Sequence, residues 1–160
     1  IRAKAAEGYT ARLTAGFCWP WSEPLPNGFL VSDVKVGAWE RPWNAKGDKG
    51  RLAAGIPRSN FWASHPGGIE QVGCIYTAQG FEYDWSGVIL GPDLVWRGGR
   101  FVSDVRASKD PAFRGRSAAD FDTFVRNVYK VLLTRGMVGT VISSTDPETR
   151  EMLKGLMHDA

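Results

Sequence analysis

The chain has 160 residues, 43% hydrophobic and 23% charged, with a formal net charge of +3. That balance suits a folded unit with a buried core and excludes a disordered chain. No apolar run reaches the roughly 18–20 residues that cross a bilayer, and the opening IRAKAAEGYT lacks the apolar stretch of a secretory signal. A cytoplasmic setting without a membrane is therefore expected. The first residue is Ile1, not methionine, so the chain reads as a piece of a longer one. Cys18 and Cys74 each sit inside an apolar run and read as buried free thiols. His65 and His158 are isolated, so no metal site is expected.

In chain order, ARLTAGFC (11–18) predicts a buried strand, and FLVSDVKV (29–36) a second strand nearer an edge. Residues 37–68 are rich in Gly, Pro and Trp and have no clean period. They read as a long irregular insertion with one short helix. Trp39, Trp43 and Trp62 within it argue for packing rather than disorder. QVGCIYT (71–77) and SGVILG (86–91) predict further strands, and DLVWRGGRFVSD (93–104) a hairpin turning at Gly98-Gly99.

The last third is clearer. Ser117 with Asp120 forms a capping box, opening a helix whose Phe121, Phe124, Val125, Val128 and Leu132 share one face. Gly136 is expected to terminate it. GTVISST (139–145) reads as a buried strand. Asp146 and Pro147 then open a last helix as N-cap and first helical residue. Strands alternating with helices at these lengths imply an α/β fold with a largely parallel sheet.

Between two of the strands lies a polar knot, Thr77 to Asp84. Ligands in open α/β sheets sit beyond the carboxyl ends of strands, and the knot follows strand 71–76. Gly80 permits close backbone approach to a ligand. Glu82 offers an acceptor for sugar hydroxyls, and Gln79 both donates and accepts. Thr134 and Arg135 follow the capped helix, and arginine is the forked, permanently charged donor suited to phosphate oxygens. If Arg135 faces the same cleft as Gly80 and Glu82, the pair makes half of a nucleotide site. Taken singly, these residues also fit a solvated turn and a helix-end cation.

Their order adds information. YTAQGFEYDWSGVIL (76–90) resembles motif V of superfamily 1 helicases, and NVYKVLLTRGM (127–137) resembles motif VI. The closer likeness is to the bacterial Schlafen-group helicase-like ATPases, which ARLTAGFCWPW, RPWN (41–44) and LGPDL (90–94) also fit. It runs from about residue 11 to 146. The resemblance implies a three-layer RecA-like domain of the P-loop NTPase type, the second of two, carrying a β-hairpin and the Trp-rich insertion. It implies that Arg135 reaches the γ-phosphate of ATP and stabilises charge in phosphoryl transfer. Gln79, Gly80, Glu82 and Thr134 would line the nucleotide, while Tyr76 and Thr77 would face single-stranded DNA or RNA. Departures from the motif are Cys74 and Tyr76, where relatives carry Thr and His, and WPWSEPLP (19–26), where many carry an adenine-stacking arginine.

The phosphate-cradling GxxxxGK[ST] loop is not in the sequence. The resemblance therefore implies that ATP and Mg²⁺ are held only together with an N-terminal RecA-like domain of the same polypeptide, and that these residues alone do not hydrolyse ATP. Two rival readings stand beside it. Glu82, Asp84 and Asp93 could cluster around Mg²⁺ for nuclease chemistry. Alternatively, a non-catalytic RecA-like module could bind nucleic acid or a partner through the insertion and its Arg41, Lys46, Lys49, Arg51 and Arg58. The insertion could equally be a packed lid over the sheet.

Overall fold

Runs of small and β-branched residues with few charges form strands, and in this chain four of them assemble into one parallel sheet. The computed structural model describes residues 1–47 and 50–158. Its elements are α1 (Arg2–Ala6), β1 (Ala11–Ala15), β2 (Val34–Val36), β3 (Trp39–Arg41), β4 (Val72–Gly73), α2 (Ile75–Ala78), β5 (Tyr83–Leu90), β6 (Leu94–Arg97), β7 (Arg100–Ser103), α3 (Ala118–Leu133), β8 (Gly136–Ser144) and α4 (Pro147–His158). The sheet order is β4-β1-β5-β8, with every neighbouring pair parallel. β2–β3 and β6–β7 are separate antiparallel hairpins, the second turning at Gly98-Gly99 as expected. The α/β class and parallel sheet are thus as the sequence predicts.

One face of the sheet is covered by α3. Its buried Phe121, Val125, Val128, Tyr129 and Leu132 pack with Val88 and Leu90 of β5, and Leu153 of α4 joins this cluster. Ser117 caps α3 by accepting from the Asp120 N–H at 3.1 Å, and its hydroxyl donates to the Asp120 carboxylate at 2.7 Å. Among the described residues the other face carries no long helix. Ala15 and Ile89 there pack with Val34, Trp43, Val72 and Cys74, flanked by Phe17, Trp19, Trp21 and Trp39.

The insertion is therefore core-forming. It contains two 3₁₀ turns, Ser59–Phe61 and Pro66–Glu70, in place of the one expected helix. Trp43 and Trp62 are fully buried, on opposite faces of the sheet. Arg12, a buried cation of β1, holds the insertion down by donating to the carbonyls of Trp62 and His65, each at 2.8 Å. Three charges proposed for a polyanion surface have local partners: Arg41 faces Glu70, Lys46 pairs with Glu23, and Arg58 donates to the Gly50 carbonyl. Lys49 lies outside the described residues.

Four expectations are corrected. The buried strand expected over 139–145 is Gly136–Ser144, of which only Ser144 is buried, because β8 lies at the edge of the described sheet. The strand expected over 71–77 is only Val72–Gly73, because the chain turns into α2 at Ile75, where Thr77 and Ala78 N–H both bond the Cys74 carbonyl. The strand expected over 29–36 reduces to Val34–Val36 and belongs to a hairpin outside the main sheet. Gly136 does not end α3 in a left-handed conformation; it is already the first residue of β8. The helix closes at Thr134, whose N–H bonds the Val131 carbonyl.

At the far end of β5 sits a buried polar knot. The Tyr129 hydroxyl donates to Asp93 at 2.6 Å and accepts from the Gly91 N–H at 2.8 Å. A Cβ at Gly16 would overlap that hydroxyl, so glycine is required there. Burial pushes the Asp93 carboxyl above its usual range, opposed by its bonds from Tyr129 and Cys18. Tyr129→Phe leaves Asp93 and the Gly91 N–H without this partner; a loss of about 1–3 kcal/mol in urea unfolding is expected. At the α4 N-cap, Arg97 first and the Thr149 N–H next hold the Asp146 carboxyl well below the carboxylate range. The stability it confers is present above its unfolded value, about pH 4, and is lost as pH falls through the lower folded value. Acid unfolding of Asp146→Asn should accordingly lack this component.

Candidate functional site

The pairing of β5 with β8 begins at Tyr83 and Gly136. The Tyr83 N–H donates to the Arg135 carbonyl at 3.2 Å. This bond joins two otherwise distant pieces of sequence. On one side α2 stops at Gln79, Gly80 takes φ of 88°, and Glu82 leads into β5. On the other, α3 ends and Arg135 leads into β8. The turn and Arg135 therefore lie at one end of the sheet, leading into adjacent strands.

The positive φ accounts for glycine at 80; a Cβ there would meet nothing within 4 Å, so the outer side of the turn is open. Gln79 and Glu82 are exposed. Arg135 is partly buried and makes no ion pair with the described residues; its Nε donates to the Val131 carbonyl at 3.1 Å. Thr134 spends its hydroxyl on the carbonyls of Lys130 and Val131. Beneath the edge, the Tyr83 hydroxyl is buried, and among the described residues it makes no hydrogen bond of normal geometry. Burial pushes it up to about 12, opposed first by the neighbouring Ser86 hydroxyl and then by Arg135 and Arg12. An arginine with no acid beside it, next to an open backbone turn, is suited to a phosphate oxygen.

This edge is the amino end of β5 and β8, not the carboxyl end expected from the general rule for α/β sheets. The reason is α2: it takes the chain back from the end of β4, so the polar knot empties into the start of β5. The proposed Mg²⁺ cluster is also overturned. Asp84 opens β5 and accepts from the Thr10 N–H and hydroxyl, whereas Asp93 lies buried past the other end of the same strand. The strand from Asp84 to Leu90, at roughly 3.3 Å per residue, lies between them. Among the described residues no three His, Cys, Asp or Glu converge on a metal-sized site.

Tyr76 and Thr77 lie apart from that edge. The Tyr76 ring is 56% exposed and meets Phe17, just past the carboxyl end of β1, edge-on at 6.4 Å. Phe17 stacks on Trp43 at 5.7 Å. The Tyr76 hydroxyl donates to both carboxylate oxygens of Asp110, at 3.0 and 2.8 Å. Burial and then this bond push the phenol up to about 12. Thr77 is buried, its hydroxyl donating to Asn44 Oδ1 at 2.9 Å, so it orders α2 rather than presenting a surface. Sequence reasoning missed Asp110, Asn44 and Tyr83. Asp110 before Pro111 signals only a turn cap, and its partner is 34 residues away.

Residues 1–146 match the family described as Schlafen group 3, DNA/RNA helicase domain. The uncharacterized protein YPL245W of Saccharomyces cerevisiae is 33% identical over 100 residues, covering 58% of this chain and 22% of its own length. The chain thus spans under a quarter of that relative. No solved structure matches. Among the described residues no helix is long and apolar enough to cross a membrane.

Replacing Asp110 with Asn should bring the Tyr76 phenol part of the way down from about 12, because burial remains while the carboxylate is lost. Ultraviolet difference titration, with Tyr76→Phe as the reference, reads the change.

Proposed function

The chain belongs to the Schlafen group 3 DNA/RNA helicase domain family, and from that premise we propose that it is the C-terminal, second RecA-like motor half of an ATP-dependent helicase or translocase. Arg135 is the residue that reaches the γ-phosphate, and Gln79, Gly80, Glu82 and Thr134 form the rest of this wall of the nucleotide cleft. The observation that carries the reading is the Tyr83–Arg135 backbone bond, which sets an arginine without an acid partner beside the open Gly80 turn. The cavities of about 440–490 Å³ lie elsewhere on the chain. An edge rather than a pocket is what half of a two-domain cleft presents.

In this reading each residue has a physical task. Arg135 lends a fixed positive charge to the oxygens on which charge develops, without moving a proton. The Gly80 turn lets a ribose or phosphate approach the backbone, and Glu82 accepts from sugar hydroxyls. In this reading Mg²⁺ and the phosphate cradle are supplied by the N-terminal RecA-like domain, since the GxxxxGK[ST] loop is not in these 160 residues. Tyr76 is the base-stacking platform for single-stranded DNA or RNA, held upright by Asp110 and backed by Phe17. Thr77 serves that surface indirectly, by fixing α2 to Asn44.

In the full-length protein, Arg135→Ala should lower ATP turnover by about 10³–10⁵-fold while leaving the circular dichroism spectrum unchanged. Undiminished turnover in that variant removes the proposed role.

A further inference from the structure

The cations of this chain are not all spent alike. Arg41, Lys46 and Arg58 of the insertion have local partners, and Lys4 and Lys154 pair with Glu7 and Glu151. The connection from β7 to α3, residues 104–117, is different. It carries Arg106, Lys109, Arg114 and Arg116 against Asp104 and Asp110. Both acids are engaged. Asp104 takes two bonds from the Arg106 guanidinium at 2.9 Å each, and the buried Asp110 accepts from the Tyr76 hydroxyl and the Ala112 N–H. Lys109, Arg114 and Arg116 are exposed and make no ion pair with the described residues.

The same connection is fastened beside the Tyr76 ring. The Lys109 N–H donates to the Phe17 carbonyl at 2.7 Å, and the Phe17 ring meets Tyr76 edge-on. Ala112, whose N–H donates to Asp110 at 2.9 Å, accepts from the Arg116 Nε at 3.1 Å through its carbonyl. Asp110 therefore joins the phenol to a turn that has Lys109 before it and Arg114 and Arg116 after it. Phe113 is buried against Phe121 and Phe124, with ring centroids 5.4 and 4.0 Å apart, so the turn is held on α3. Held cations next to an exposed ring combine charge for phosphates with a face for a base.

We propose that Lys109, Arg114 and Arg116 contact the backbone phosphates of single-stranded DNA or RNA on either side of the base that stacks on Tyr76. The inference rests on the nucleic-acid side of the proposed function and not on the Arg135 edge, which lies at the other end of the sheet. Three neighbouring cations with no acid of their own ask for a polyanion, and the ring beside them asks for a flat partner. A nucleic-acid strand brings a phosphate and a π-face in every repeat, and the matched family is described as a DNA/RNA helicase domain. Contacts of this kind fix the strand in place without reading its sequence.

The test follows a labelled oligothymidylate or oligouridylate of about 12 nucleotides binding to the full-length protein, by fluorescence anisotropy, across about 50–200 mM salt without ATP. Each phosphate contact on a single strand adds about 0.7 to the slope of log K against log salt. Lys109→Ala/Arg114→Ala/Arg116→Ala should therefore flatten the slope by about 2, whereas Lys109→Arg/Arg114→Lys/Arg116→Lys should keep it. The single variants, each flattening it by about 0.7, decide the matter if the triple variant fails to fold. Lys4→Ala/Lys46→Ala/Lys154→Ala removes the same formal charge from paired cations and should leave the slope as in wild type. Tyr76→Ala should weaken binding about 5–150-fold at an unchanged slope. A wild-type slope in the Lys109, Arg114 and Arg116 variants, as expected if an acidic segment of the polypeptide covers them, overturns the proposal. Equal flattening in the paired-lysine variant does the same. In either case a weakened Tyr76→Ala leaves the stacking role standing, while a wild type that binds neither oligonucleotide removes both.

Discussion

The parallel pairing of β5 with β8 is the constraint on which the candidate site depends. Each strand is entered from a different structure, β5 from the α2 turn and β8 from the end of α3. Only their shared register brings Gly80, Glu82 and Arg135 to one edge, and the Tyr83–Arg135 bond is its first rung. A slip of one residue would turn Val88 and Leu90 away from α3 and cost the core. The hydrophobic core therefore holds the polar edge in position.

α3 extends that control along the length of the sheet. Ser86 donates to the Leu132 carbonyl near the amino end of β5, and Tyr129 grips Gly91 and Asp93 at the other. Arg135 is thus carried by a helix fastened at two points. Its guanidinium turns back to the Val131 carbonyl instead of meeting an acid. The buried Tyr83 phenol, with no hydrogen bond of normal geometry among the described residues, lies under the same edge.

The Trp-rich insertion solves a separate problem. The face of the sheet opposite α3 lacks a long helix, so Trp43, with Phe17, Trp19, Trp21 and Trp39 around it, supplies apolar cover. Three indole N–H groups on this face reach backbone carbonyls, Trp19 that of Lys35, Trp21 that of Asn44 and Trp43 that of Pro20, whereas that of Trp62 on the opposite face has no partner among the described residues. Aromatic residues with a polar handle suit such irregular cover because they bury area and still satisfy their one donor. The same packing leaves Tyr76 as an exposed ring at the end of an aromatic row.

Local chemistry was legible in the sequence wherever it acts over a few residues. The apolar face of α3, its Ser117 cap, the Asp146-Pro147 start of α4, the Gly98-Gly99 hairpin and the three long strands of the parallel sheet all follow from spacing and turn residues. The short β4 was not legible, because a buried run such as QVGCIYT satisfies strand and helix alike until its neighbours choose. Nor was the end of the sheet on which the polar turn sits, since four residues of helix reverse the chain there. Sequence alone could name Arg135, Gly80 and Glu82 as candidates and state their chemistry. Their meeting at one edge, the Asp110 behind Tyr76 and the separation of Asp84 from Asp93 were decided by tertiary structure. The physical reason is that register and burial act between residues tens of positions apart, which no local pattern encodes.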